Sequence, residues 1–207
     1  MKTNPVFDTL EFLVSGGWPI LFFWLLLLGG VATAVYNFLI DSKLHTAKDI
    51  SMCIARITVG GMWWQQILGK LPPYYTDLPG AQDSGLRHLM IEMVNNASFS
   101  IQSRFMQEIV LPRFSVFAHL VYGIEVFISA SLILGLFTRL GGALGALMAV
   151  NLWLGLYRAS YECPWMYFFL ILLQVIFTFS QAGRSLGVEA IFARGTSRDW
   201  GRRDEWL

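Results

Sequence analysis

Cysteine, histidine and charge are all scarce in this chain. Two cysteines, Cys53 and Cys163, occur in 207 residues, without CxxC spacing or a histidine set beside them, which argues against a zinc or dithiol motif. Of three histidines, His45, His88 and His119, only His119 falls within an apolar run, so a bis-histidine haem inside the chain is not expected. No glycine-rich dinucleotide fingerprint and no cysteine cluster for iron and sulfur is present. No metal site and no intrinsic cofactor is therefore expected, and any redox centre would have to come from a partner. Charged residues make up 14% and the formal net charge is +1, which leaves no basic stripe for nucleic acid and no case for a strongly acidic partner. Internal repeats and low-complexity tracts are absent too. The amino terminus has one lysine, Lys2, before Asp8 and Glu11, unlike the basic start of a cleavable signal peptide, so the first apolar run is expected to be retained.

What the chain has in abundance is apolar surface: 55% of residues are hydrophobic and 15% aromatic. That composition predicts an all-α membrane protein with five spans. The first is the charge-free window Trp18 to Ile40, long enough to cross a hydrocarbon core of about 30 Å. The second, Ile50 to Gly69, is weaker because it contains Arg56, Gln65 and Gln66, and its paired Trp63 and Trp64 suit an interfacial belt. A polar loop, 71–112, follows; within it Leu86, Leu89, Met90 and Met93 recur at helical spacing after Asp83-Ser84, as do Ile101, Phe105 and Ile109. Two short amphipathic helices fit, lying on the membrane, capping the bundle or packing on the spans. The Asn96-Ala97-Ser98 tripeptide decides nothing.

The third span runs from about Arg113 to Phe137, the fourth from Leu140 to Tyr157 and the fifth from Cys163 to Gln181, with Pro112 and Pro164 in opening turns. Gly141, Gly145 and Ala149 at four-residue steps read as a packing face. The two cysteines then fall near opposite membrane faces, too far apart for a disulfide, and are expected to be small buried apolar groups. Three units result: 1–49, a tail, a span and a short loop; 50–183, a four-span membrane domain; 184–207, a basic polar tail with Arg184, Arg194, Arg198, Arg202 and Arg203.

The chemistry-bearing residues lie in the third span. A charge at the bilayer centre costs about 3 to more than 10 kcal/mol, so Glu125 must face a partner or a cavity, or be held protonated in a hydrogen bond. His119, Tyr122 and Glu125 follow at three-residue steps and form a candidate stripe, with Glu125 and His119 as candidate catalytic groups. Arg56 is either a headgroup anchor or an inward cation pairing with Glu125. Asn151 in the fourth span bonds to a neighbouring span or to a ligand carbonyl. Arg56, Tyr122, Glu125 and Asn151 are thus the candidate ligand-binding set. Placing the carboxyl terminus in the cytoplasm and the amino terminus outside gathers eight Lys and Arg residues inside against six outside, Arg56 uncounted.

The run Tyr122-Gly123-Ile124-Glu125-Val126, then Leu132-Ile133-Leu134-Gly135-Leu136-Phe137-Thr138-Arg139, resembles the DoxX/DoxD-like membrane family, and Arg56, Gly60 and Gly69-Lys70-Leu71 resemble its second signature. The likeness covers roughly residues 50 to 182 and leaves the first span as an addition. It implies a four-helix core with both ends of that core in the cytoplasm, in a cell inner (plasma) membrane. It implies also a role like that of the DoxD subunit of thiosulfate:quinone oxidoreductase, which passes electrons from thiosulfate to quinone together with a second subunit. The motif set is Arg56, Gly60, Gly69, Lys70, Gly123, Glu125, Gly135 and Arg139. A quinone-linked oxidoreductase subunit is the first functional expectation. A non-catalytic accessory subunit of a larger membrane complex is the second. An anion carrier using Arg56 and Arg139 is the third.

Overall fold

Long apolar runs leave the backbone no polar partner but itself, and all regular structure among the described residues is helical. The computed structural model describes residues 13, 17–75, 85–160 and 162–203, without the side chains of 164 and 196–203. Lys2, Asp8, Glu11, the Asp83-Ser84 turn and the side chains of Arg198, Arg202 and Arg203 lie outside the described residues.

Helix α1 is Trp18–Ile40, with proline in its first turn, where a missing N–H costs nothing. A short turn, Ser42–Leu44, leads to α2, Ala47–Leu68. Helix α2 begins three residues ahead of the apolar run because Thr46 caps it, its hydroxyl accepting the Asp49 N–H at 3.1 Å. Helix α3 is Leu86–Asn96 and α4 is Ser100–Phe105. A π-helical turn, Met106–Val110, and a 3-10 turn, Leu111–Arg113, carry α4 into α5, Phe114–Leu134. Pro112 therefore sits within a continuous helical run instead of opening one. It lacks an N–H and its ring crowds the preceding turn, which the widened π turn absorbs.

Helix α6, Thr138–Leu156, returns antiparallel to α5, and α7, Pro164–Phe179, packs most closely on α6, as α2 does on α5. Helix α8, Val188–Arg203, follows a short turn, Ala182–Arg184. Two faces of the bundle result. The α5–α6 turn, the α1–α2 link and the start of α8 share one, the hairpin end; residues 85–112 cover the other, the loop end.

Among the described residues, three helical segments are long and apolar enough to cross a membrane: Trp18–Ile40, the run Ser100–Leu134 and Thr138–Leu156. Helix α2 has the length but carries Lys48, Asp49 and Arg56, and the apolar part of α7, Trp165–Phe179, is shorter. The small-residue face of α6 packs as its spacing predicts. A Cβ on Gly141 would come within 2.3 Å of Ser131, and one on Gly145 within 2.4 Å of Gln174.

The amphipathic segments separate. Helix α3 buries Leu86, Met90 and Met93 in an apolar cluster with Tyr75, Met106, Val110, Ala118 and Leu156. The spacing of Ile101, Phe105 and Ile109 marks the opposite situation, for all three are exposed and Met106 and Val110 point inward. Ser98 ties this segment to α6, its hydroxyl donating to the Leu154 carbonyl at 3.1 Å. Both cysteines are free; Cys53 is buried as expected, but Cys163 is exposed, since it precedes the first turn of α7 instead of lying within it.

Candidate functional site

Glu125 is fully buried on α5, and its partner is Lys70, not Arg56: Lys70 Nζ lies 2.5 Å from Glu125 Oε1. The reason is register. Arg56 and Lys70 are fourteen residues apart on the same ascending segment, about 21 Å at 1.5 Å per residue, and antiparallel α5 brings Glu125 beside the later of the two. Lys70, counted among the outer charges, is 6% exposed, so it belongs to the interior. Taking two charges from water costs several kcal/mol per ion, which their attraction offsets only with good geometry and further hydrogen bonds. Here one carboxylate oxygen, Glu125 Oε2, has no hydrogen-bond partner among the described residues.

The pair stands in the wall between two cavities at the loop end. The larger, about 320 Å³, is lined by Trp63, Gln66, Lys70 and Glu125 together with Met62, Leu152, Met166, Tyr167 and Leu170. That volume lies at the small end of the range for ligand pockets, about 300–1,000 Å³. Trp63 is 1% exposed, and its indole Nε1 likewise has no partner among the described residues. One unpaired donor and one unpaired acceptor thus belong to residues lining one apolar cavity. The smaller cavity, about 90 Å³, shares Lys70, Leu89, Glu125 and Leu152 and adds Phe117, Met148 and Asn151. Asn151 bonds across to another segment as expected, its Oδ1 accepting from Gln102 Nε2 at 2.8 Å.

Arg56 does different work at the hairpin end. It is neither snorkelling nor paired with Glu125: it is fully buried and donates from Nη1 to the carbonyls of Leu132 at 2.5 Å and Ile133 at 3.2 Å. These belong to the last turn of α5, whose carbonyls have no partner within the helix. A cation there also opposes the negative end of the helix dipole. Gly135 closes the helix at φ 71°, and a Cβ on it would meet Arg56 Nη1 at 2.4 Å. Across the turn, the Thr138 N–H, at the start of α6, donates to Glu189 Oε1 at 2.8 Å, and the Gly183 N–H donates to the Thr138 hydroxyl at 3.0 Å. Asn37 of α1 donates to the Gly187 carbonyl at 2.9 Å and accepts from Arg194.

The expected stripe on α5 comes apart. Three-residue steps each fall about 60° short of a full turn, so His119 lies about 120° round the helix from Glu125. His119 is exposed, its Nδ1 on the Ser115 carbonyl at 2.6 Å and its ring edge-on to Tyr75 at 5.2 Å. Tyr122 is half-buried, its ring 6.4 Å from that of Tyr75. Neither is among the residues lining the cavities beside the ion pair. Trp63 and Trp64 are no interfacial belt; both are buried, and Trp64 Nε1 donates to the Pro19 carbonyl at 3.1 Å, joining α2 to α1. From sequence, Lys70 figures only in the family motif and Trp63 and Gln66 not as site residues, yet the three recur at steps of three and four, the spacing of one helix face carried just past its end.

A bundle of long apolar helices closed around a buried lysine–glutamate pair defines a multi-pass membrane protein. Within it, the family model described as DoxX matches residues 51–158, just over half of the chain. The chain belongs to the DoxX family. The match takes in Arg56, Gly60, Gly69, Lys70, Gly123, Glu125, Gly135 and Arg139, hence both buried cations, and leaves α1, α7 and α8 outside. Comparison with curated proteins and with solved structures gives no match.

Proposed function

We propose that this chain is the membrane subunit of a quinone-linked oxidoreductase and that its loop-end cavity holds the quinone head. The observation that carries the reading is the Trp63, Lys70 and Glu125 set on the wall of the 320 Å³ cavity. A quinone carbonyl accepts hydrogen bonds, which Trp63 Nε1 and Lys70 Nζ can donate. Its two-electron reduction takes up two protons, and the unengaged oxygen of Glu125 can accept a proton arriving from solvent and then pass it to a developing hydroxyl. The rest of the wall includes Gln66, Glu162 and Tyr167, but its apolar part, with Met62, Leu152, Met166 and Leu170, suits a ring and the start of an apolar tail. Electrons would arrive from a partner subunit carrying the redox centre, with thiosulfate the donor by resemblance to DoxD. In this reading the hairpin end faces the cytoplasm. Removing Lys70 from the six outer charges leaves five against eight, which sharpens the bias.

The accessory reading has its own observation: Leu21, Phe22, Leu25 and Leu28 of α1 are all more than half exposed, a face that lipid or another subunit would cover. The two readings part in one experiment. The chain is purified with whatever subunits accompany it, and thiosulfate-dependent quinone reduction and quinone binding are compared with those of Glu125→Gln. Loss of binding and turnover with assembly intact supports the quinone site. An intact complex that neither binds quinone nor turns over makes the subunit accessory.

A further inference from the structure

The hairpin end carries a third cavity, of about 260 Å³, remote in the fold from the ion pair and lined by Phe137, Arg139, Leu140, Gln181, Arg184 and Glu189. Arg139 and Arg184 are exposed cations on one concavity, brought together from the first turn of α6 and the turn after α7. Two planar guanidinium groups over a hollow make a receptor for a tetrahedral oxyanion, which each can bind through paired N–H donors. The one acid in the lining is committed elsewhere, since both Glu189 oxygens accept from Thr138, at 2.8 Å from the N–H and 3.2 Å from the hydroxyl. The Arg139 Nε contact to the Thr178 carbonyl, at 3.4 Å, is long and leaves its terminal nitrogens to a ligand.

The cavity is also held rigid and half apolar. Phe137 and Gln181 both take left-handed backbone angles, φ 54° and 51°, fixed by the hydrogen bonds of Thr138, Gly183 and Arg184 around them. Phe137 is 62% and Leu140 54% exposed in the lining. A free oxyanion has no use for such an edge, whereas a phospholipid presents a phosphate and an acyl chain side by side. Cations just beyond the end of a spanning helix stand at headgroup depth.

We propose that Arg139, Arg184 and Gln181 form a binding site for the phosphate of an anionic phospholipid, with Phe137 and Leu140 against its acyl chains. This site is independent of the quinone reading. The test uses the full chain in detergent micelles, loaded with dioleoyl phosphatidylglycerol or dioleoyl phosphatidylcholine and examined by native mass spectrometry for retained lipid. Wild type should keep phosphatidylglycerol in preference to phosphatidylcholine. Arg139→Gln and Arg184→Gln should each weaken retention about fivefold and the double variant about twenty-fold. Arg104→Gln at the loop end should change nothing, and Leu140→Gln should weaken retention with both arginines present. Inorganic phosphate at millimolar concentration should fail to displace the lipid. Equal retention by wild type and the double variant would overturn the proposal. Complete displacement by inorganic phosphate would do so too, by showing a site for a soluble anion. Helicity and monodispersity equal to wild type establish that the surface variants are folded.

Discussion

The chain buries two cations on one stretch, fourteen residues apart, and gives them opposite settings. Arg56 lies against carbonyl oxygens of the α5 terminus and the backbone of Gly135, and it is not among the residues lining the cavities described above. Lys70 faces a carboxylate and two cavities, with an unpaired acceptor on Glu125 and an unpaired donor on Trp63 nearby. A guanidinium whose Nη1 ends on two backbone carbonyls holds a turn together, although its Nε has no partner among the described residues. An ammonium bound to a half-satisfied carboxylate on the wall of a cavity has interaction capacity left for a ligand. The comparison teaches that neither a buried charge nor an unpaired atom beside it marks a site; unpaired groups gathered on the wall of one cavity do.

The largest effect should come from splitting the ion pair. Lys70→Met leaves an uncompensated buried carboxylate and should destabilise the fold by about 3–5 kcal/mol, seen as a lower unfolding temperature in detergent. Adding Glu125→Leu should recover most of that loss, because a matched apolar pair needs no counter-ion. If the single variant melts like wild type, the pair is solvated and the contrast with Arg56 fails. Arg56→Met should cost less, about 1–3 kcal/mol in all, since one donor serves both carbonyls, and should leave quinone binding at the loop end untouched. An Arg56 variant that folds but no longer binds quinone would merge the two regions into one site.

Much of this was legible in the sequence, and the failures share a cause. The helices were readable because apolar runs of about twenty residues allow little else, and Glu125 was recognisable as buried because a lone carboxylate in such a run has few alternatives. Pairing was not legible: it depends on how two antiparallel helices register, and a shift of one turn moves a side chain by about 5.4 Å. Lys70 was hidden behind Gly69 and before two prolines, where a lysine reads as a solvated end, although its long stem carries the ammonium back to Glu125. Trp63 and Trp64 were misplaced for the mirror reason, since tryptophan is as much at home in a core as in a headgroup belt. The Gly135 to Arg139 motif was visible as a turn. That Arg56 and Glu189 complete its two helix ends was not, because both come from elsewhere in the chain.

The hairpin end can be probed more gently. Gly135→Ala asks a Cβ to occupy a left-handed conformation and to enter space held by Arg56 Nη1 and the Gly187 Cα at 2.4 and 2.6 Å. The conformation alone costs about 1–2 kcal/mol, and the displaced guanidinium adds to it, so a loss of about 2 kcal/mol or more is expected. Combined with Arg56→Met, the two losses should add to less than their sum, since both break the same contact. Strict additivity in denaturant or thermal unfolding would mean that Arg56 and Gly135 act apart.

The smallest effect should have the opposite sign, and it tests whether an unpaired buried atom always marks a site. Gln174 of α7 is fully buried against Gly145, with neither amide atom partnered among the described residues. Unlike Glu125 and Trp63 it is not among the lining of the loop-end cavities. Gln174→Met keeps nearly the same length and removes two unsatisfied polar atoms. It should therefore stabilise the bundle by about 1 kcal/mol, because replacing an unpaired buried polar group with an apolar one of the same shape recovers its desolvation cost. Trp63→Phe, in contrast, should weaken quinone binding if the proposed function holds, since the donor lost there would meet the quinone carbonyl. A drop in unfolding temperature for Gln174→Met would mean that its amide has a partner in the membrane, a bound water or a second subunit. Gln174 would then join Glu125 on the functional side of the comparison.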